Sequence, residues 1–215
     1  MSELWPWIAL ALLGAYHGVN PGMGWLFAVA LGLQEKSRQV VIKALFPIAL
    51  GHALSIGGIV LLVGVAQVIL PEPILRRLGA SILFAFGLYR LFRSRHPRWV
   101  GMRVDFKDLV IWSFFMSSAH GAGLMLVPIL LNWPASGQVH PHGMTTPLLG
   151  QMAGSPGLLL AATGIHTLSL LLVTGAVALL VYEKLGLALL RQAWFNLDLL
   201  WVIALMVAGG MILVF

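Results

Sequence analysis

The stretch Tyr16-His17-Gly18-Val19-Asn20-Pro21-Gly22-Met23-Gly24-Trp25 lies inside an apolar run that extends from Leu4 to Leu33. It puts helix breakers and polar groups where a plain membrane helix carries neither. At ~1.5 Å per residue the run spans ~45 Å, against a hydrocarbon core of ~30 Å, so it is longer than one straight crossing needs. Pro21 has no N–H to donate and its ring crowds the carbonyl four residues back. The sequence therefore predicts a freed carbonyl at His17, beside an imidazole and the Asn20 amide. Irregular backbone at mid-depth persists only where it is buried in protein or lines a wet cavity. The stretch reads as half of a substrate site.

Composition sets the class. The 215 residues are 60% hydrophobic and 9% charged, whereas a soluble domain carries roughly 25% charged residues; an integral membrane protein is expected. The net charge of +6 does not point to nucleic acid, because the basic residues sit in short loops between apolar segments, where they act as topology signals. The chain has no cysteine, which excludes disulfides, thiolate metal sites and thiol relays. Met1 to Trp5 lacks a basic n-region, so a cleavable signal peptide is not expected.

Five further apolar segments follow the first: about Val40 to Leu70, closed by Pro71 and Pro73; Ile74 to Phe92; Leu109 to Leu131; Pro156 to Tyr182; and Trp194 to Phe215. With the N-terminus outside, the loops after spans one, three and five hold Lys36, Arg38, Lys43, Arg90, Arg93, Arg95, Arg98, Arg103, Lys107, Lys184 and Arg191, while Arg76 and Arg77 fall outside. Eleven basic residues against two place both termini outside, in the periplasm if the membrane is the expected bacterial inner membrane. The fold expected is an all-α integral membrane protein, one domain of six transmembrane helices built as a 3+3 inverted repeat, residues 1–99 and 100–215. His52-Ala53-Leu54-Ser55 in span two matches His166-Thr167-Leu168-Ser169 in span five, and His17-Gly18 and His120-Gly121 lie in spans one and four. An odd number of spans per half inverts the second half, as in many secondary transporters with a site at the repeat interface.

His17, His52, His120 and His166 each fall roughly 10 to 13 residues inside their segment, ~15 to 20 Å from the nearer end. Imidazole is the commonest metal ligand, and divalent ions of the zinc, nickel, cobalt or copper type accept nitrogen ligands. The bland alternative is four packing histidines hydrogen-bonded to neighbouring helices; polar groups at that depth are costly, which favours a shared site. The candidate substrate-binding set is His17, Asn20, Pro21, His52, Ser55, His120, His166 and Ser169, with His17, His52, His120, His166 and Met23 as candidate metal ligands. Met23 and Met125 could be soft ligands, but they read first as flexible fillers of apolar gaps. His140 and His142 read as a solvated loop or an outer collector of metal, and Asp198, with Asn196, as a helix-terminal cap or a gate. Gly57, Gly58, Gly121 and Gly123 permit close helix packing, and Trp5, Trp7, Trp25, Trp133 and Trp194 suit interfacial anchors.

The run Ala49-Leu50-Gly51-His52-Ala53-Leu54-Ser55-Ile56-Gly57 resembles the second-helix motif of the nickel/cobalt transporter (NicO) family, within the LysE-like transporter superfamily of six-helix, three-plus-three proteins. His17-x-x-Asn20 falls where that family has a first-helix His-x-x-Asp motif. The family continues with a second Asp and a His where this chain has Gly22 and Met23, and Asn20 stands for the first Asp. The resemblance implies a transporter; the missing carboxylates move the expectation towards a softer metal or a solute that is not a metal.

The function expected is transport of a divalent transition-metal cation through a mid-membrane histidine site. Transport of another small solute on the same fold, a bis-histidine membrane haem protein and a non-transporting accessory subunit are the alternatives. No nucleophile–base pair, phosphate loop or paired carboxylates stand out, so catalysis is not expected. The lipid bilayer and a small cation or solute are the expected partners, without nucleic acid, and a homo-oligomer remains open.

Overall fold

The computed structural model describes residues 4–92, 104–131 and 156–185, together with 203, 205–207, 209 and 210. Among these the chain is all-helical: α1 (Trp5–Val19), a 3-10 turn (Pro21–Met23), α2 (Trp25–Gln34), α3 (Arg38–Ile69), α4 (Glu72–Phe92), α5 (Phe106–Ala119), α6 (Ala122–Leu131) and α7 (Pro156–Leu180), which runs into a π turn (Val181–Leu185). Two helices are long and apolar enough to cross a membrane, Arg38–Val63 within α3 and Gly157–Lys184 around α7. The pair Phe106–Ala119 and Ala122–Leu130, bent by 54°, makes a third if counted as one broken span. The loop with His140 and His142, most of the sixth segment and the residues Trp133, Trp194, Asn196 and Asp198 lie outside the described residues.

Local chemistry explains where the helices stop. The first apolar run is divided into α1 and α2 at the stretch from Asn20 to Gly24. Asn20 leaves the helix with extended backbone, its side-chain oxygen accepts the Gly22 N–H at 2.9 Å, and Gly24 enters α2 at φ +118°. The carbonyl expected to be freed at His17 is not free: the Asn20 N–H donates to it at 3.1 Å. Trp25 is buried in the protein, and its indole N–H donates to the Val19 carbonyl at 3.0 Å, which satisfies a terminal acceptor of α1. The second break, between α5 and α6, also turns on a glycine of positive φ, Gly121 at +67°. α5 opens with a capping box in which Asp105 and Asp108 exchange side-chain to backbone bonds, meeting the orphan donors of its first turn.

The surface departs from that of a soluble protein, and the largely apolar core holds a few polar residues. The buried polar residues include all four expected histidines, whereas Leu12, Phe46, Leu61, Leu62, Leu160 and Leu172 are among many exposed apolar ones. The most extensive helix contacts pair α1 with α7 and α3 with α5, followed by α3 with α7. Each main pair therefore joins an element from the first part of the chain to one from the second. Gly14 on α1 and Gly51 on α3 set these approaches: a Cβ at Gly14 would collide with the His166 carbonyl oxygen, and one at Gly51 with that of Val110. Gly123 lies against Ile59 in the same way, but Gly57 and Gly58 have no atom close to where a Cβ would stand, so the close packing expected of them is not found among the described residues.

Candidate functional site

The histidine on each principal helix separates two apolar clusters. One cluster contains Leu10, Ile56, Val60, Ala122, Leu126, Leu130 and Ala162. The other contains Trp25, Ala28, Val29, Ile48, Leu109, Ala178 and Val181 among its members. In sequence, His17 falls between Leu10 and Trp25, His52 between Ile48 and Ile56, His120 between Leu109 and Ala122, and His166 between Ala162 and Ala178. The buried imidazoles thus form a polar layer with one apolar cluster on each side of it.

Three of the four rings meet. Centre to centre, His17 is 5.0 Å from His166 and 5.6 Å from His52, edge-on to both. His52 and His166 are 5.5 Å apart with their planes only 4° from parallel, and their Nε2 atoms are 3.3 Å apart. The centre separation exceeds the nitrogen separation by close to twice the centre-to-nitrogen distance within an imidazole ring. The rings therefore lie end to end in one plane, nitrogen facing nitrogen. His17, nearly equidistant from both, stands close to the plane that bisects them.

The hydrogen bonds fix the tautomers. His17 Nδ1 donates to the Leu13 carbonyl at 2.6 Å, His120 Nδ1 to that of Met116 at 2.7 Å, and His166 Nδ1 to that of Leu10 at 3.2 Å. A neutral imidazole has one N–H, so His166 presents its Nε2 as a lone pair and His52 Nε2 is the donor between them. His52 Nδ1 is then a bare acceptor, buried and without a hydrogen-bond partner. Anchoring one ring nitrogen on a carbonyl so that the other is presented is the usual outer-shell arrangement of a metal-ligating histidine.

The other expected site residues are placed as follows. His120 stands at the second break, and its Cε1 lies 3.5 Å from where a Cβ on Gly22 would be, so the two breaks abut. Asn20 and Pro21 shape the first break, with the Asn20 oxygen committed to Gly22. Ser169 donates to the Ala11 carbonyl at 2.6 Å. Ser55 and Ser118 are 2.8 Å apart, and because Ser118 donates to the Phe114 carbonyl, Ser55 is the donor of that pair. Both serines thus tie helices together. Met23 packs with Met125, Ala80, Leu83, Val127 and Leu205 in an apolar cluster, the core-filling place of its two readings. Sequence reasoning missed Gly14 and Thr174, which donates to the Gly18 carbonyl at 3.3 Å; the Gly14-x-x-x-Gly18 spacing is the small-residue signal for a close helix pair.

The chemistry open to this layer follows from its geometry. Among the described residues, no set of three or more His, Asp or Glu side chains is arranged to hold a metal ion. The three rings are neighbours, yet their nitrogens do not converge on one point. A haem does not fit: its macrocycle would have to enter the plane between His52 and His166, where His17 already stands. Compared with protein-family models, curated proteins and solved structures, the chain matches none of them.

Proposed function

We propose that this chain is a membrane transporter, a six-span 3+3 inverted repeat that carries a transition-metal cation through its histidine layer. The observation that carries this reading is the meeting of His17, His52 and His166, from three helices in both parts of the chain, between two apolar clusters. Buried polar groups in a bilayer are expensive and mark substrate paths, and a site sealed on both sides is what alternating access between two repeats requires. The abutting breaks, each turning on a glycine of positive φ, and the resemblance of the α3 motif to nickel/cobalt transporters support the same reading. His52 and His166 take the ion, with His17 at its flank. The enclosing helices belong to the bacterial inner membrane with both termini outside.

The test is direct. Purified protein titrated calorimetrically with zinc, nickel and copper, and proteoliposomes loaded with a metal-sensitive dye, report binding and flux. Neutral imidazole lone pairs are the ligands, so protons compete with the ion. With the free histidine pKa near ~6.5, binding is present above that value and weakens as pH falls through it. His17→Ala weakens binding more than His140→Ala does. An unmodified protein that neither binds nor moves any of the three metals at neutral pH sinks the metal reading and leaves a non-metal solute.

A further inference from the structure

We infer that the cation carried is monovalent and two-coordinate, of the copper(I) or silver(I) type, held in a straight line between His52 Nε2 and His166 Nε2. This deepens the transporter reading and rests on it. Three observations lead there, the first being the direction of the lone pairs. With the rings coplanar and end to end, the two nitrogens point along one axis towards each other. A tetrahedral ion such as zinc needs its ligand axes to meet at about 109° at bonds of ~2.0–2.1 Å. That demands a large swing of two rings, one of which is held by the Leu10 carbonyl. A closed-shell monovalent ion of copper(I) or silver(I) type favours two ligands in line. The present nitrogen separation of 3.3 Å then has only to open to about 4 Å, twice a typical metal–imidazole bond, with no change of direction.

The second observation is the number of ligands. The ring centres make a triangle of 5.0, 5.5 and 5.6 Å sides, whose median puts the centre of His17 about 4.5 Å from the midpoint of the pair. That is beside the ion rather than bonded to it, and no third His, Asp or Glu completes a set among the described residues. Third, the layer has no counter-charge. No Asp, Glu, Lys or Arg stands among the described buried residues. The cost of taking an ion from water into a low-dielectric interior is a Born energy, which rises with the square of the charge. A divalent ion among neutral ligands therefore costs roughly four times as much as a monovalent one.

Binding also balances in protons. The hydrogen on His52 Nε2 leaves that atom as the ion arrives, and one N–H bond forms at His52 Nδ1, which is bare and without a partner. The exchange runs through solvent, with no net proton taken up or released. The Nε2 lone pair so freed makes the second metal–nitrogen bond.

Anaerobic titration separates the outcomes. Copper(I) is supplied against bicinchoninate as a competing chromophore, and silver(I), zinc(II) and nickel(II) are titrated in parallel. One copper(I) or silver(I) per chain is expected, bound more tightly than zinc or nickel by roughly tenfold or more. X-ray absorption at the copper edge should show two nitrogen neighbours at one distance. His166→Ala and His52→Ala should each weaken binding by roughly 100-fold or more, since loss of an outer-shell partner alone costs 10–100-fold. Should either variant fail to fold, the spectrum of the unmodified protein decides. Zinc or nickel binding as tightly as copper(I), or three or four neighbours around copper, overturns the monovalent assignment and leaves the transporter reading standing. No binding by any of the four metals overturns the monovalent assignment and the metal reading together, and leaves a transporter of a non-metal solute.

Discussion

Gly14 and Gly51 bring the histidines together without touching an ion. Each faces a backbone carbonyl of the partner helix where a Cβ would collide, that of His166 for Gly14 and that of Val110 for Gly51. Alanine at either position has to push two helices apart, and overpacking of this kind costs about 1–3 kcal/mol. Thermal unfolding in detergent should show the loss for Gly14→Ala and Gly51→Ala, with weaker metal binding alongside. Gly57→Ala, in open space on the same helix as Gly51, should leave stability unchanged or slightly raised, because alanine is the better helix former by up to ~1 kcal/mol. At this scale the sequence was partly legible. The four histidines announced themselves as polar residues deep in apolar segments, and all four are buried. That His52 faces His166 end to end depends on the rotation of α3 against α7, which no spacing in the sequence encodes. Asn20 was legible as polar, but its bond to Gly22 is a local competition between cap and ligand that only coordinates resolve.

Among the elements, the two breaks matter most. The α1–α2 break is held by the Trp25 indole on the Val19 carbonyl, by Asn20 on Gly22 and by Gly24 at φ +118°. Trp25→Phe keeps the ring and removes the bond, and should cost about 0.5–1.5 kcal/mol. Gly24→Ala forces a side chain into a left-handed backbone and against Ile48, and should cost more, about 1–3 kcal/mol. Unfolding midpoints of the two variants give the order directly. Boundaries were readable because prolines and polar turns interrupt the apolar runs: α3, α4 and α7 start and stop within a few residues of the segments expected. The exact form of the first break was not readable. Pro21 marks it, but the bond from the Asn20 N–H to the His17 carbonyl repairs the loss that the proline creates.

For the whole molecule, an apolar exterior surrounds buried polar residues carried by α1, α3, α5, α7 and the two breaks, and the apolar exterior follows from composition. Orientation is a separate matter, resting on the proposed six-span topology, under which eleven basic residues fall on one side and two on the other. Tags at both ends should be reachable from outside the cell and not from the cytoplasm in protease-protection assays. A C-terminal tag reachable only from the cytoplasm removes the inverted repeat. On the side where α3 begins and α7 ends, Arg38 pairs with Glu183 at 3.0 Å. Both side chains are largely exposed, so the pair contributes only ~0–1 kcal/mol, and helix packing governs the assembly.

The bonds between α1 and α7 also carry a message about biosynthesis. The carbonyls of Leu10, Ala11 and Gly18 receive His166, Ser169 and Thr174, partners 156, 158 and 156 residues further along the chain. At ~5–20 residues per second, α1 waits roughly eight to thirty seconds for the helix that will cover it. During that interval its imidazole and its broken turn face lipid or the insertion machinery. A nascent chain halted after residue 131 should therefore be cleared by membrane proteases faster than the full-length chain in a pulse–chase experiment.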